Sequence, residues 1–192
     1  MISIIIATYG KGWVSEHQDV FDRALITALH LSADREDSEV LWEHADDLAT
    51  ARNTGARHAV GERLVFLDAD DWLDLDFIDK IVEPEDVLQP RTAFWNEESE
   101  PVMPSHYIEA RDDLLHGNHI VVGAPVNREL FLDVGGFDGY PIYEDWALWL
   151  KMREAGATFG TTTGVYNVTL RTEGRNQGPG ADTYNQIVQR FS

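Results

Sequence analysis

The sequence contains no cysteine, which excludes disulfide bonds, thiolate metal sites and a thiol nucleophile. Its longest apolar runs are far shorter than the ~20 residues that a membrane-spanning helix needs. The first six residues have no basic segment before an apolar one, so they predict a strand rather than a signal peptide. We therefore expect a cytoplasmic protein.

Positive charge is also scarce. The chain has 15 Lys and Arg against 34 Asp and Glu, which gives a net charge of -19. Nucleic acids and anionic membranes are bound largely through Lys and Arg, so this balance disfavours both as non-specific partners. A length of 192 residues and 43% hydrophobic content fit one domain with one sizeable core. No internal repeat or linker divides the chain.

The first third of the chain alternates between strand-like and helix-like patterns. Apolar, β-branched runs predict strands at 2–7, 38–43 and 63–68, and helical spacing predicts helices at 15–31 and 47–60. This order favours an α/β fold in which helices cover a mainly parallel sheet.

The remainder is less regular. Helices are expected near 74–82, 111–116, 127–134 and 144–156 and from 182 onward, and strands near 92–95, 102–109, 120–124 and 165–170. The helix near 144–156 is predicted to be strongly amphipathic. A Gly-rich loop spans 174–180.

The most informative stretch, residues 63–72, is a strand that runs directly into Asp68, Asp70 and Asp71. Ligands bind at the carboxyl edge of open α/β sheets, which is where these carboxylates fall. Clustered carboxylates repel one another unless a cation lies between them, and a hard divalent cation completed by a phosphate is the usual solution. The alternative is a solvated acidic turn, with Asp71 capping a helix over 72–82.

Several motifs, in order and at compatible spacing, resemble those of family 2 glycosyltransferases over most of residues 1–172. They are IIIATY at 4–9, ARNTG at 51–55, AVGE at 59–62, FLDADD at 66–71, GGFD at 135–138, YEDW at 143–146 and REAG at 153–156. The resemblance implies a GT-A fold, Rossmann-like and in a single compact domain over 1–192. It assigns 1–90 to nucleotide-sugar binding, 91–172 to the acceptor and catalysis, and 173–192 to a flexible tail loop and terminal helix.

The resemblance implies a metal-dependent inverting enzyme that transfers one sugar, by default from a UDP-sugar, to an acceptor hydroxyl. Asp70, with Asp68, would hold Mn²⁺ or Mg²⁺ in an Asp-x-Asp motif. Asp145 would be the general base and Glu144 a supporting acid. The alternative for both is that they merely favour a helix N-terminus electrostatically.

Further site residues are assigned from the same resemblance. The predicted nucleotide-sugar contacts are Ala7, Thr8, Tyr9, Glu43, Arg52, Asp68, Ala69, Asp70 and Arg171. Tyr9 has an alternative as a core aromatic, and Arg52 as a surface ion pair. Glu43 stands where family members have an acidic pair that reads the base. Arg171 and Arg175 flank the start of the Gly-rich loop, which would close on the diphosphate. Trp146 and Trp149 are expected to pack in the core.

The acceptor side is assigned to Gly136, Phe137 and Asp138 and to the variable stretch 96–118. A glycan, a protein side chain, a small molecule and a hydroxylated DNA base remain open as acceptors, and the chain's acidity counts against DNA. A non-catalytic nucleotide-sugar or carbohydrate-binding module is a further alternative. A calcium loop starting at Asp68 is disfavoured, because Leu73 and Asp79 stand where glycine and glutamate are needed.

Overall fold

The computed structural model describes residues 1–108, 113–172 and 180–192. Most of the predicted Gly-rich loop, with Arg175, lies outside the described residues. So do the start of the helix predicted at 111–116 and the end of the strand predicted at 102–109. Among the described residues, none of the helices combines the length and apolarity that crossing a bilayer requires.

One sheet organises the described chain. Its strands are β1 (Ile2–Tyr9), β2 (Ser38–Ala45), β3 (Arg63–Asp68), β4 (Trp72–Leu73), β5 (Val87–Trp95), β6 (Pro101–His106), β7 (Val126–Asn127) and β8 (Phe159–Thr169). The spatial order is β2-β1-β3-β7-β5-β8-β4, with β6 paired to β5. The long pairings of β1 with β2 and β3, and of β5 with β8, are parallel. Short antiparallel pairings join the rest, so the mainly parallel α/β sheet is confirmed.

Helices and 3₁₀ turns connect and cover the strands. They are α1 (Trp13–Glu16), α2 (Gln18–Ser32), α3 (Leu48–His58), α4 (Arg128–Asp133), α5 (Glu144–Glu154) and α6 (Gly180–Phe191), with 3₁₀ turns at Ile78–Lys80 and Leu114–His116. Asp47 caps α3 by accepting a hydrogen bond from Thr50 N at 2.8 Å. The helix α3 packs so closely on β1 that a Cβ at Gly55 would lie 2.5 Å from Ile5 Cγ2. Glycine in the ARNTG motif is therefore required by packing.

Two elements predicted after β3 are absent. The segment 74–82 forms only the short 3₁₀ turn instead of a helix. Residues 120–124 form a turn instead of a strand, closed by a hydrogen bond from Ala124 N to Val121 O, and the two-residue strand β7 follows them. Gly123 packs against the Tyr166 ring in that turn.

The helix α5 is buried on most of its surface rather than amphipathic. The α6 helix and the 3₁₀ turn at Leu114–His116 contribute to its cover. Trp146 and Trp149 are 1% and 0% exposed, which confirms their placement in the core.

Candidate active site

A cavity of about 760 Å³ opens at the carboxyl edge of β1 and β3, beside the N-terminus of α5. It brings together the predicted site residues other than Glu43, Gly136, Phe137 and Asp138. These are Ala7, Thr8, Tyr9, Arg52, Asp68, Ala69, Asp70, Glu144, Asp145 and Arg171. Asp70 and Asp145, the two residues with the most specific predicted roles, therefore face one shared space. Its size is typical of a small-molecule or cofactor site.

Asp70 lies in the turn after β3, and the main chain there is fixed from two sides. The Arg23 guanidinium donates to Asp70 O at 3.2 Å, and the Thr169 hydroxyl donates to the same oxygen. Burial, followed by the charge of Asp68, raises the pKa of the Asp70 carboxyl to about 6, while Arg171 acts in the opposite direction. A carboxylate that is costly to ionise here would gain from a nearby cation.

Asp71 has a structural position. Its Oδ1 accepts a hydrogen bond from Thr169 N at 2.8 Å, so it ties the acidic turn to the end of β8. Burial, followed by the charges of Asp70 and Asp68, raises its pKa well above the ordinary value. Asp71 caps no helix over 72–82, because no helix forms there beyond the 3₁₀ turn.

Arg52 connects the two acidic motifs. One terminal nitrogen contacts Asp68 Oδ1, and the other donates to Glu144 Oε1 at 2.8 Å. The side chain is 2% exposed, so this is a buried bridge rather than the surface ion pair considered above. Burial alone would lower the pKa of Arg52, but the two carboxylates outweigh it and the net shift is upward. Its predicted contact with a diphosphate stays a prediction.

Replacing Arg52 by methionine should leave Asp68 and Glu144 without their shared counter-charge. Breaking a buried ion pair costs ~3–5 kcal/mol, so we expect a loss of that order in the free energy of unfolding, measured by urea denaturation. Arg52→Lys should lose less stability, because lysine keeps the positive charge although it lacks the two terminal nitrogens that contact both carboxylates. Arg57→Met, on the exposed side of α3, is the matched control. A loss for Arg52→Met no larger than the control's would contradict this.

Asp145 is held by two hydrogen bonds at the start of α5. Asn118 Nδ2 donates to Oδ2 at 2.9 Å, and Trp146 N donates to Oδ1 at 2.8 Å. Burial, then the charge of Glu144, raises the pKa of Asp145 to about 7, although both hydrogen bonds act in the opposite direction. The preceding residue, Tyr143, has a φ of 64°, in the left-handed region that non-glycine residues seldom adopt. A carboxyl with its pKa near neutrality suits a general base.

The raised pKa of Asp145 makes stability depend on pH. The unfolded chain releases this proton near pH 4 and the folded chain near pH 7, so the folded state binds more protons between these values. Stability should therefore fall as pH rises through this window. The melting temperature should drop more between pH 5 and pH 8 in the wild type than in Asp145→Asn. Equal drops in the two proteins would show that Asp145 titrates normally.

Glu43 is not brought to the cavity. Its carboxylate pairs with His58 Nδ1 at 2.7 Å, on the side of β2 that faces α3. The neighbouring residues Trp42 and His44 point to the other side, where both contact the Thr8 hydroxyl. Because side chains alternate along a strand, Glu43 points away from the cavity. Its predicted contact with the nucleotide base stays a prediction that this placement does not support.

The GGFD residues are not among the described residues that line the 760 Å³ cavity. Asn53 of the ARNTG motif clamps Phe137, donating to its O at 2.9 Å and accepting from its N at 2.8 Å. Asp138 pairs with Lys151 of α5 at 3.1 Å and with Arg190 of α6 at 2.8 Å. Gly136, with a φ of 66°, and Phe137 are buried. The GGFD motif therefore contacts α5 through Asp138 and Lys151. Its predicted contacts with the acceptor stay a prediction.

Some residues at the site had little or no sequence signal. Asn118 was predicted only as the last residue of the variable acceptor stretch 96–118, and Thr169 stands outside the recognised motifs. The fold brings Asn118 to Asp145 and Thr169 to the acidic turn. Tyr166 also stands outside the motifs, and its hydroxyl accepts a hydrogen bond from Asp68 N at 3.0 Å.

The acidic turn offers one carboxylate whose chemistry fits a divalent metal. In the parts of the chain that are described, no group of three or more His, Asp or Glu residues is arranged to hold a metal. Asp70 nevertheless offers a hard oxygen donor whose ionisation is disfavoured without a cation. Mg²⁺ is usually bound by one or two carboxylates together with substrate phosphates and water. The residues fit that arrangement, in which a diphosphate supplies the remaining oxygens.

Comparisons with solved structures agree with this fold. The chain superposes on crystal structures of S. aureus TarS, which share its fold at low sequence identity. The TarS structure gives a TM-score of 0.64 at 16% identity, covering 99% of this chain and 42% of that one. TarS 1–349 with UDP-GlcNAc gives 0.59 at 15%, covering 97% and 64%, and with UDP it gives 0.61 at 16%, covering 99% and 70%. The GT-A fold expected from the sequence is confirmed.

A family model also matches part of the sequence. Residues 22–98 match the family model described as "Glycosyl transferase family 2". This match confirms the resemblance to family 2 glycosyltransferases. No curated protein matches the chain significantly. The chain spans less than half of the length of the TarS structure.

Proposed function

We propose that this protein is a metal-dependent inverting glycosyltransferase that moves one sugar from a UDP-sugar to an acceptor hydroxyl. The observation that carries the proposal is that Asp70 and Asp145 face one cavity of about 760 Å³. The family match and the UDP and UDP-GlcNAc complexes of TarS support a nucleotide-sugar donor. A cytoplasmic location, expected from the sequence, is part of the proposal.

The proposed reaction is a single displacement. Asp145 accepts the proton of the acceptor hydroxyl while that oxygen forms a bond to the anomeric carbon of the donor sugar. The bond from this carbon to the diphosphate oxygen breaks, and the nucleoside diphosphate leaves with the electron pair. Because one attack occurs from the face opposite the leaving group, the anomeric configuration inverts.

Each of the surrounding residues has a distinct part in this proposal. Asn118 and Trp146 N hold the Asp145 carboxylate in place. Arg52 fixes Asp68 relative to Glu144, and thereby the donor end of the cavity relative to the base. Asp70, with Asp68, would hold Mn²⁺ or Mg²⁺, which would offset the negative charge that develops on the departing diphosphate.

Donor binding tests the proposal. A ligand that binds only the folded state stabilises it by ~2.7 kcal/mol at 100 times its Kd, or roughly 5–10 °C in a chain of this size. We expect a UDP-sugar with Mn²⁺ or Mg²⁺ to raise the melting temperature, and the sugar to be released or transferred on incubation. EDTA should cancel the shift. No shift with any nucleotide-sugar would contradict the proposal, and a shift without turnover would favour a binding module.

A further inference from the structure

The segment 113–120 is held along one face of α5. The three side chains of α5 that hold it are spaced by three and four residues, which places them on the same face of the helix. They donate to the segment at three points: the Trp146 indole to Leu114 O at 2.6 Å, the Trp149 indole to Ile120 O at 2.9 Å, and Arg153 to Asp113 Oδ1 at 2.8 Å. The helix that begins at the proposed general base therefore also holds the segment that carries Asn118.

The strand β5 holds the same segment through Gln89. Its Nε2 donates to His119 O at 2.7 Å and to Ile108 O at 2.8 Å. His119 and Ile120 directly follow Asn118 in the chain. The two consecutive carbonyl groups after Asn118 are therefore each held by a side-chain N–H, one from β5 and one from α5.

The same backbone sets the direction of the Asn118 amide. Asn118 Oδ1 accepts a hydrogen bond from Ile120 N at 3.2 Å, and Asn118 Nδ2 donates to Asp145 Oδ2 at 2.9 Å. Asn118 is exposed, so packing in the core does not fix its side chain. The alignment of its N–H with Asp145 depends instead on where the backbone at 118–120 is held.

We propose that Gln89 and Trp149 are positioning residues for Asp145 and act on it through Asn118. By holding the carbonyl groups of the two residues after Asn118, they hold the amide that aligns the Asp145 carboxyl. The proposal rests on the glycosyltransferase function above. It adds two residues that belong to none of the sequence motifs.

The pH dependence of the rate distinguishes positioning from a purely structural role. Burial and the charge of Glu144 raise the pKa of Asp145, whereas the hydrogen bonds from Trp146 N and Asn118 and the charge of Arg52 act in the opposite direction. A weaker Asn118 contact should therefore raise this pKa further, and the fall in rate at low pH should begin at a higher pH. If Gln89 and Trp149 only pack the core, their removal lowers stability and leaves the pH profile unchanged.

The test measures UDP release, with Mn²⁺, from the UDP-sugar that the wild type consumes fastest. Gln89→Met removes both donated hydrogen bonds and keeps a side chain of similar length. We expect kcat to fall ~10-fold, within the ~100-fold that a misplacement of about 1 Å can cost, and the low-pH decrease to move to higher pH. The metal-dependent rise in melting temperature with the same donor should not change. Trp149→Phe, which keeps a ring but lacks the N–H, should have the same effects.

A double-mutant cycle with Asn118→Ala tests the route of the effect. Asn118→Ala alone should lower kcat at least as much as Gln89→Met, and combining the two should change kcat by less than about twofold further, because both remove the same contact. Arg91→Met is the matched control: Arg91 also lies on β5 and donates to a backbone carbonyl, Ser105 O, at 2.6 Å. It should change neither kcat nor the pH profile, with or without Asn118→Ala.

The outcomes separate the two proposals. If the wild type with Mn²⁺ neither binds nor consumes any UDP-sugar, the glycosyltransferase function fails and the positioning proposal fails with it. If the wild type turns over, but folded Gln89→Met or folded Trp149→Phe keeps the wild-type kcat or pH profile, the positioning proposal alone is overturned. It is also overturned if the losses from Gln89→Met and Asn118→Ala multiply, because Gln89 would then act by a route other than Asn118.

Discussion

Asp145→Asn is expected to reduce kcat by ~10²–10⁴-fold, the range that a positioned general base contributes. Asparagine keeps the size of the side chain and one of the two oxygen acceptors, so it can keep the hydrogen bond from either Asn118 or Trp146 N, but it cannot take a proton at neutral pH. Donor binding, followed as the metal-dependent rise in melting temperature, should therefore remain close to that of the wild type.

The pH profile provides a second signature of the same residue. Because the pKa of Asp145 is raised to about 7, the wild-type rate should fall about tenfold per pH unit below that value. The residual rate of Asp145→Asn should not show this decrease at low pH. Asp133→Asn, at an exposed position at the end of α4, is the control and should keep the wild-type rate and profile. Equal losses of donor binding and turnover in Asp145→Asn would contradict the assignment.

Asp70→Ala is expected to abolish metal-dependent donor binding. Asp70 lies at the acidic turn of the cavity, and the other two carboxylates there are engaged: Asp68 with Arg52, and Asp71 with Thr169 N. Without Asp70, a divalent cation would lose the carboxylate best placed to hold it. The melting temperature of the variant should no longer rise when a UDP-sugar and Mn²⁺ are added together.

The stability of Asp70→Ala without ligand distinguishes a loss of metal-dependent donor binding from misfolding. Burial makes the Asp70 carboxylate costly to ionise, so its removal should leave the unliganded protein at least as stable as the wild type. Asp76→Asn, on the exposed part of the chain after β4, should bind donor and metal normally. A normal metal-dependent shift in Asp70→Ala would remove this residue from the metal site.

The sequence was sufficient for the parts of the fold that depend on local pattern. The strands β1 and β3 are mostly apolar runs, so their position and the placing of Asp68 at the end of β3 could be predicted, although β1 extends to Tyr9 beyond the predicted 2–7. The start of α5 at Glu144 followed from the motif spacing. These are features in which residues near in sequence determine the structure.

Features that depend on distant packing could not be predicted in this way. The burial of α5 depends partly on α6 and the 3₁₀ turn at Leu114–His116, so its own residues gave the wrong impression of an amphipathic helix. The apolar run at 120–124 looked like a strand, but it turns where Gly123 meets Tyr166.

The same limit applies within the site. Glu43 occupied the expected place in sequence, yet the alternation of β2 directs it toward His58. Arg52 was predicted to contact a ligand, and only the three-dimensional arrangement of α3, β3 and α5 shows that it bridges Asp68 and Glu144. Asn118 was predicted only as part of the variable acceptor stretch 96–118, and its hydrogen bond to Asp145 is visible only in the fold.

The most direct test of this account is a crystal structure with Mn²⁺ and a non-hydrolysable UDP-sugar, in which anomalous scattering locates the metal. We predict a manganese peak at the Asp70 carboxylate, next to the diphosphate, with the anomeric carbon of the sugar facing Asp145 across the 760 Å³ cavity. A donor bound in that cavity with its anomeric carbon turned away from Asp145, or a metal bound elsewhere, would contradict it.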